Sequence, residues 1–293
     1  MPRLHVPRSL PSETASCVGP CVRRIIADNA SSVSSVDQHV SSRAAHRPRF
    51  RIALALGLLA SVTVASPARA ESDAVLTIAA FSSAPEGAAT PPGWAPLTFK
   101  KIPTRTEYAV VKDGEVTVVR AESRAGASGL TRRVSVDLRE YPLIEWRWKV
   151  SNVIAKGDVR TRAGDDYAAR IYITFAYDPD KVSFSRKLKY KAGRLLFGDV
   201  PIGAITYIWE RAVPEGTIVD NAYTDVVKMI VVESGKGHVG CWMTEERNLD
   251  DDYRKAFGED PPQVNGVAIM TDTDNTGETV TAYYGDIVFK KAR

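Results

Sequence analysis

The feature that most limits the fold is a series of short segments rich in Val, Ile, Thr, Tyr and Trp. They follow one another closely from residue 108 onward, without regularly interposed helices. Residues 108–111, 115–122, 130–138, 143–150, 168–177, 204–210, 226–233, 266–271 and 280–290 read as strands, and several alternate apolar with polar residues. Alternation at period two turns one face of a strand toward a core and the other outward. Lys112-Asp113-Gly114 joins the first two segments with an Asp-Gly hairpin signal. Strands this frequent, without regularly interposed helices, argue against a parallel α/β sheet. The pattern predicts a mainly β fold, an antiparallel β-sandwich of jelly-roll type with one or two short helices.

Two stretches interrupt the strands. Asn248 precedes Leu249-Asp250-Asp251-Asp252 and a Tyr253–Phe257 run that stops at Gly258. Asn suits an N-cap, the aspartates suit the positive end of a helix dipole, and Gly suits the C-terminal stop. The aspartate run therefore reads as helix-start chemistry in preference to a metal site. Residues 181–198 carry six Lys/Arg and read as a surface helix or long insertion with a solvated basic face; a membrane-surface role is the alternative.

Ahead of the strands lies a different pattern. Arg43, Arg47, Arg49 and Arg51 form a basic region, residues 52–65 an apolar core too short to span a bilayer, and Ala68-Arg69-Ala70 a small-x-small cleavage site. That order predicts a signal peptide over 43–70, cleaved after Ala70, and a periplasmic or secreted domain over 71–293 with no transmembrane segment. No Cys directly follows the apolar core, which argues against a lipoprotein. Residues 1–42 read as a disordered extension or a start codon placed too early. Cleavage removes His5, His39, His46, Cys17 and Cys21, leaving His238 and Cys241. A lone Cys beside Trp242 reads as a small buried hydrophobe without an internal disulfide, and Cys–His catalysis is disfavoured. The first 70 residues hold nine of the 39 basic and three of the 35 acidic residues, so the remainder carries 30 against 32, or −2. Nucleic acid is therefore not an expected partner.

Three motifs are candidates for binding. Glu145-Trp146-Arg147-Trp148-Lys149 alternates, with both Trp on one face; they read as core, or else as a platform for sugar rings. Gly164-Asp165-Asp166-Tyr167 opens a strand whose Arg170, Tyr172 and Thr174 oppose Ile171, Ile173 and Phe175. Arg147 and Arg170 are placed on one sheet face. With Tyr172 and with Asp165 and Asp166 at the edge, they would suit hydroxyl-rich or carboxylated sugars, or alternatively form a structural ion-pair network. Asp272-Thr273-Asp274-Asn275-Thr276-Gly277 resembles the start of an EF-hand loop, but Tyr283 stands where that motif needs its glutamate. A hairpin loop with Asx turns explains it equally well, with Ca²⁺ at Asp272 and Asp274 as the metal alternative. No phosphate-cradling Gly-rich loop or G-x-S-x-G elbow is present, and one His makes a poor zinc set.

Taken together, W-R-W-K-V, G-D-D-Y-A-A-R-I-Y, R-N-L-D-D-D-Y…F-G-E and M-T-D-T-D-N-T-G…A-Y-Y-G-D-I resemble the exported bacterial proteins grouped as Domain of Unknown Function 3047 (DUF3047), over about residues 81–289. The closing pattern is similar to galactose-binding-like jelly rolls, which implies binding of a glycan or other polar small ligand more than catalysis. The resulting expectation is an exported, non-catalytic ligand-binding sandwich. A carboxylate-dependent glycan-cleaving enzyme and an envelope protein-interaction module are the alternatives.

Overall fold

The computed structural model describes residues 22–25, 74–176 and 203–292. Among these, the strands form two seven-stranded sheets. The first runs β1 (Val22–Ile25), β12 (Met243–Asn248), β7 (Leu143–Val150), β14 (Thr279–Lys290), β5 (Val116–Arg124), β4 (Glu107–Asp113), and β14 also pairs β2 (Val75–Ala79). The second runs β10 (Ile218–Asn221), β11 (Thr224–Ser234), β9 (Ala204–Glu210), β8 (Arg170–Phe175), β13 (Val264–Asp272), β6 (Ala127–Val136), β3 (Ala95–Leu97). Neighbours are antiparallel except β1 with β12 and β9 with β11. The second exception arises because β10 takes the sheet edge and β11 returns between it and β9.

The predicted sandwich is what the aromatic contacts build. On β7, Ile144, Trp146, Trp148 and Val150 are buried, while Glu145, Arg147 and Lys149 point to the other face. Trp146 stacks on Tyr207 of β9 with ring centroids 4.9 Å apart, and Trp148 meets Trp209 at 6.0 Å. These rings cross from one sheet to the other, so both tryptophans are core and neither is a ligand platform. Ile171, Ile173 and Phe175 of β8 enter the same core.

β12 escaped the sequence pattern because its buried positions include charges. Glu245 accepts a hydrogen bond from Trp148 Nε1 at 3.3 Å. Arg247 donates from Nε and Nη2 to the Asp252 carboxylate at 2.9 and 2.6 Å, and Tyr207 donates to the same carboxylate at 2.8 Å. Buried charges are tolerated when paired in this way. Asp252 belongs to α1 (Leu249–Phe257), whose start and stop follow the expected chemistry. The Asn248 side chain accepts from Asp251 N at 3.2 Å, and Gly258 ends the helix at φ 71°. The basic 181–198 stretch lies outside the described residues.

Two features concern the leader. β1 is drawn from residues ahead of the expected cleavage site. Cys241 is half-buried and disulfide-bonded, in contrast to the expected lone thiol. The chain's other cysteines are Cys17 and Cys21, both outside the described residues.

Candidate functional site

After β7 the chain does not turn directly into β8. Loop 151–169 crosses the outer face of the second sheet, where Val159 and Tyr167 pack on Ile208, Met229 and Val231. This apolar patch is separate from the core between the sheets, and it brings Asp165 and Asp166 over the start of β8. Loop 273–278, between β13 and β14, is tied to the same place. Asp166 accepts from Thr276 N at 2.6 Å and Asn275 N at 3.3 Å, and Glu278 accepts from Ala155 N and Lys156 N at 2.9 and 2.8 Å.

Arg170 is the first residue of β8, on the outward phase. It is 3% exposed. Its Nη2 is ion-paired with Asp272, Nη1 lies 3.9 Å from Asp165, and the guanidinium sits over the rings of Tyr167 and Tyr172 at 4.8 and 5.5 Å. Nε and Nη1 are buried without a hydrogen-bond partner. Asp165 accepts from Asn221 Nδ2 at 3.2 Å, and Tyr167 N donates to Asp272 Oδ1 at 3.2 Å. Above these groups opens a pocket of about 320 Å³. Its polar wall includes Asp165, Arg170, Asp272 and Asp274. Its other wall includes Phe99 and Tyr223, which are 36% and 52% exposed and stand among the few exposed large hydrophobic side chains described.

The electrostatics are acidic. Burial pushes the Asp165 carboxyl above the usual carboxylate range, against the pull of Arg170. Burial also raises Asp274, and the neighbouring Asp166 charge adds to the effect. A surplus of negative charge disfavours the carboxylated sugars that the sequence alone allowed.

The expected site residues are thus partly brought together. Asp165, Asp166, Arg170, Tyr172, Asp272 and Asp274 surround one place, but Asp165, Asp166 and Arg170 are buried and not spread on an open sheet surface. Arg147 belongs elsewhere. It lies on the first sheet, on the opposite outer side of the sandwich, with Cζ 4.8 Å from the Trp242 ring. It lies flat against Gly285, where an added Cβ would come within 2.4 Å of Arg147 Cγ. β7 and β8 follow one another in the sequence but belong to different sheets, so their outward phases face opposite sides of the sandwich.

Oxygens of Asp166, Asp272 and Asp274 lie within 4.8 Å of one another. They do not fit calcium well. Asp272 is engaged by Arg170 and Tyr167 N, and Asp166 by two loop N–H groups, whereas calcium takes six to eight oxygens. The guanidinium already supplies the cation here.

Phe99, Asn221 and Tyr223 carry no signal in the sequence, and Asn275 is marked there only as part of the Asp272–Gly277 turn motif. They come from separate segments and share no spacing motif.

The family model described as "Protein of unknown function (DUF3047)" matches residues 92–288. The chain belongs to the DUF3047 family. The DUF3047 match contains every residue lining the pocket. No curated protein sequence matches the chain. Among solved structures, the Endo-D glycoside hydrolase domain from Streptococcus pneumoniae R6 aligns at 11% identity over 68% of this chain and 22% of that one, with a TM-score of 0.26. The chain thus spans about a fifth of that protein's length, and a superposition this loose carries no argument.

Proposed function

We propose that the protein is an exported, non-catalytic binding module that holds a small hydroxyl-rich ligand, one or two sugar units of a glycan, in the pocket on the outer face of the second sheet. The observation that carries this reading is the pairing of exposed Tyr223 and Phe99 with a buried polar wall of Asp165, Arg170 and Asp272. Aromatic rings offer flat apolar faces, and oriented carboxylates accept from hydroxyls. The pocket volume lies at the small end of the range for ligand sites. Calorimetric titration with mono- and disaccharides tests it. Tyr223→Ala is expected to weaken binding at least tenfold with little change in melting temperature. Saturating disaccharides that give no heat and no melting shift would remove the reading.

Glycan cleavage is a second reading, favoured by one observation. Asp165 and Asp274 line the same pocket and are both raised by burial, as a general acid is. Release of reducing ends during the same titrations would select it.

A further inference from the structure

We infer that the ligand of this pocket carries a protonated amine, as an amino sugar with a free ammonium group does. The inference deepens the binding reading and rests on it. Three carboxylates and one guanidinium line the pocket. Arg170 is ion-paired with Asp272 and also lies 3.9 Å from Asp165, so one guanidinium serves two carboxylates and the attraction left over comes from Asp274 and from the uncancelled part of Asp165. Asp166 stands behind them and adds negative charge, although two loop N–H groups partly meet it. Two cations of the neighbouring loop, Arg162 and Lys156, each donate to a backbone carbonyl, Ala222 O and Thr276 O, the latter at 3.2 Å. Arg162 also packs on the aromatic wall, 5.1 Å over the Tyr223 ring.

A neutral hydroxyl can donate to Asp165 or Asp274 but cancels no charge. An ammonium does both, and in a partly desolvated pocket the charge interaction is screened less than in open water. A carboxylated ligand would have only the unpartnered Nε and Nη1 of Arg170 to meet it and would otherwise face the excess of carboxylates. The sugar ring keeps its place against Phe99 and Tyr223, so the amine decides which sugar is held while the aromatic wall holds any sugar.

The test uses three probes on the purified protein: the disaccharide of glucosamine, its di-N-acetylated counterpart and cellobiose. They are titrated at a pH where the amine is protonated. The glucosamine disaccharide is expected to bind at least tenfold more tightly than the other two. Its affinity should fall with added salt, and also on acidification as Asp165 and Asp274 take up protons. Asp274→Asn is expected to erase the preference without lowering the melting temperature. Equal or tighter binding of either neutral disaccharide, or a preference that survives Asp274→Asn, overturns the cationic ligand and leaves the glycan module standing. No binding of any of the three overturns both.

Discussion

At the scale of the residue, the pair Arg170 and Asp272 sets what the site tolerates. Both are buried, and their ion pair lies at the base of the pocket. Arg170→Gln leaves the Asp272 carboxylate buried without its charge partner, so the expected loss is about 3–5 kcal/mol in urea unfolding. Arg170→Gln combined with Asp272→Asn is expected to lose less than the two single losses together, because the second change removes the stranded charge. A loss below about 1 kcal/mol for Arg170→Gln would show that the pair is dispensable to the fold. Asp274 behaves oppositely. A carboxyl with a raised folded-state pKa favours folding when protonated. That stability is fully present below the unfolded value and is lost as pH rises through the raised one. Asp274→Asn is therefore expected to melt higher than the parent at neutral pH, with the difference vanishing toward acid. Thermal melts across pH check the sign.

At the scale of the element, β7 shows why alternation alone was enough. Its inward phase is Ile144, Trp146, Trp148 and Val150, and each Trp has an aromatic partner from β9. Replacing either Trp by Ala is expected to lose about 3–5 kcal/mol, with a lower melting temperature; near-parental melting of both variants would remove the core assignment. Two amides of loop 273–278 donate to one side chain of another loop, Asp166. Asp166→Asn takes away the charged acceptor for Asn275 N and Thr276 N, so faster hydrogen exchange at those two amides is expected, with β13 unaffected. β12 is the opposite case from β7. Glu245 and Arg247 occupy its inward phase, and no apolar period marks it.

At the scale of the molecule, the leader poses a question of topology. A secretory signal keeps its basic end on the cytoplasmic side. Residues 1–42 and the domain after Ala70 would then lie on opposite sides of the membrane. β1 paired with β12, and Cys241 in a disulfide, instead require the N-terminal segment and the domain to share a side. Export with cleavage predicts an N-terminus at Glu71, an exposed β12 edge and one titratable thiol at Cys241. N-terminal sequencing and thiol titration of the native protein decide between the two arrangements. An intact leader with no titratable Cys241 would overturn the export reading.

From sequence alone came what depends on neighbours in the chain. The β class, the strands β4 to β9, β11, β13 and β14 apart from their ends, the Asn248 cap and the Gly258 stop all follow from local alternation and capping. So does the grouping of Asp165, Asp166, Arg170 and Tyr172, which lie within eight residues of one another. What sequence could not determine was which strand enters which sheet. That assignment separates Arg147 from Arg170, buries a face expected to be open, and joins Asp272 and Asp274 to Arg170 from about a hundred residues away. The physical reason is that alternation says which side of a strand is apolar but not which strand lies beside it. Pairing is selected by burial of the whole aromatic core at once, and the pocket forms where loop 151–169 closes over the outer sheet.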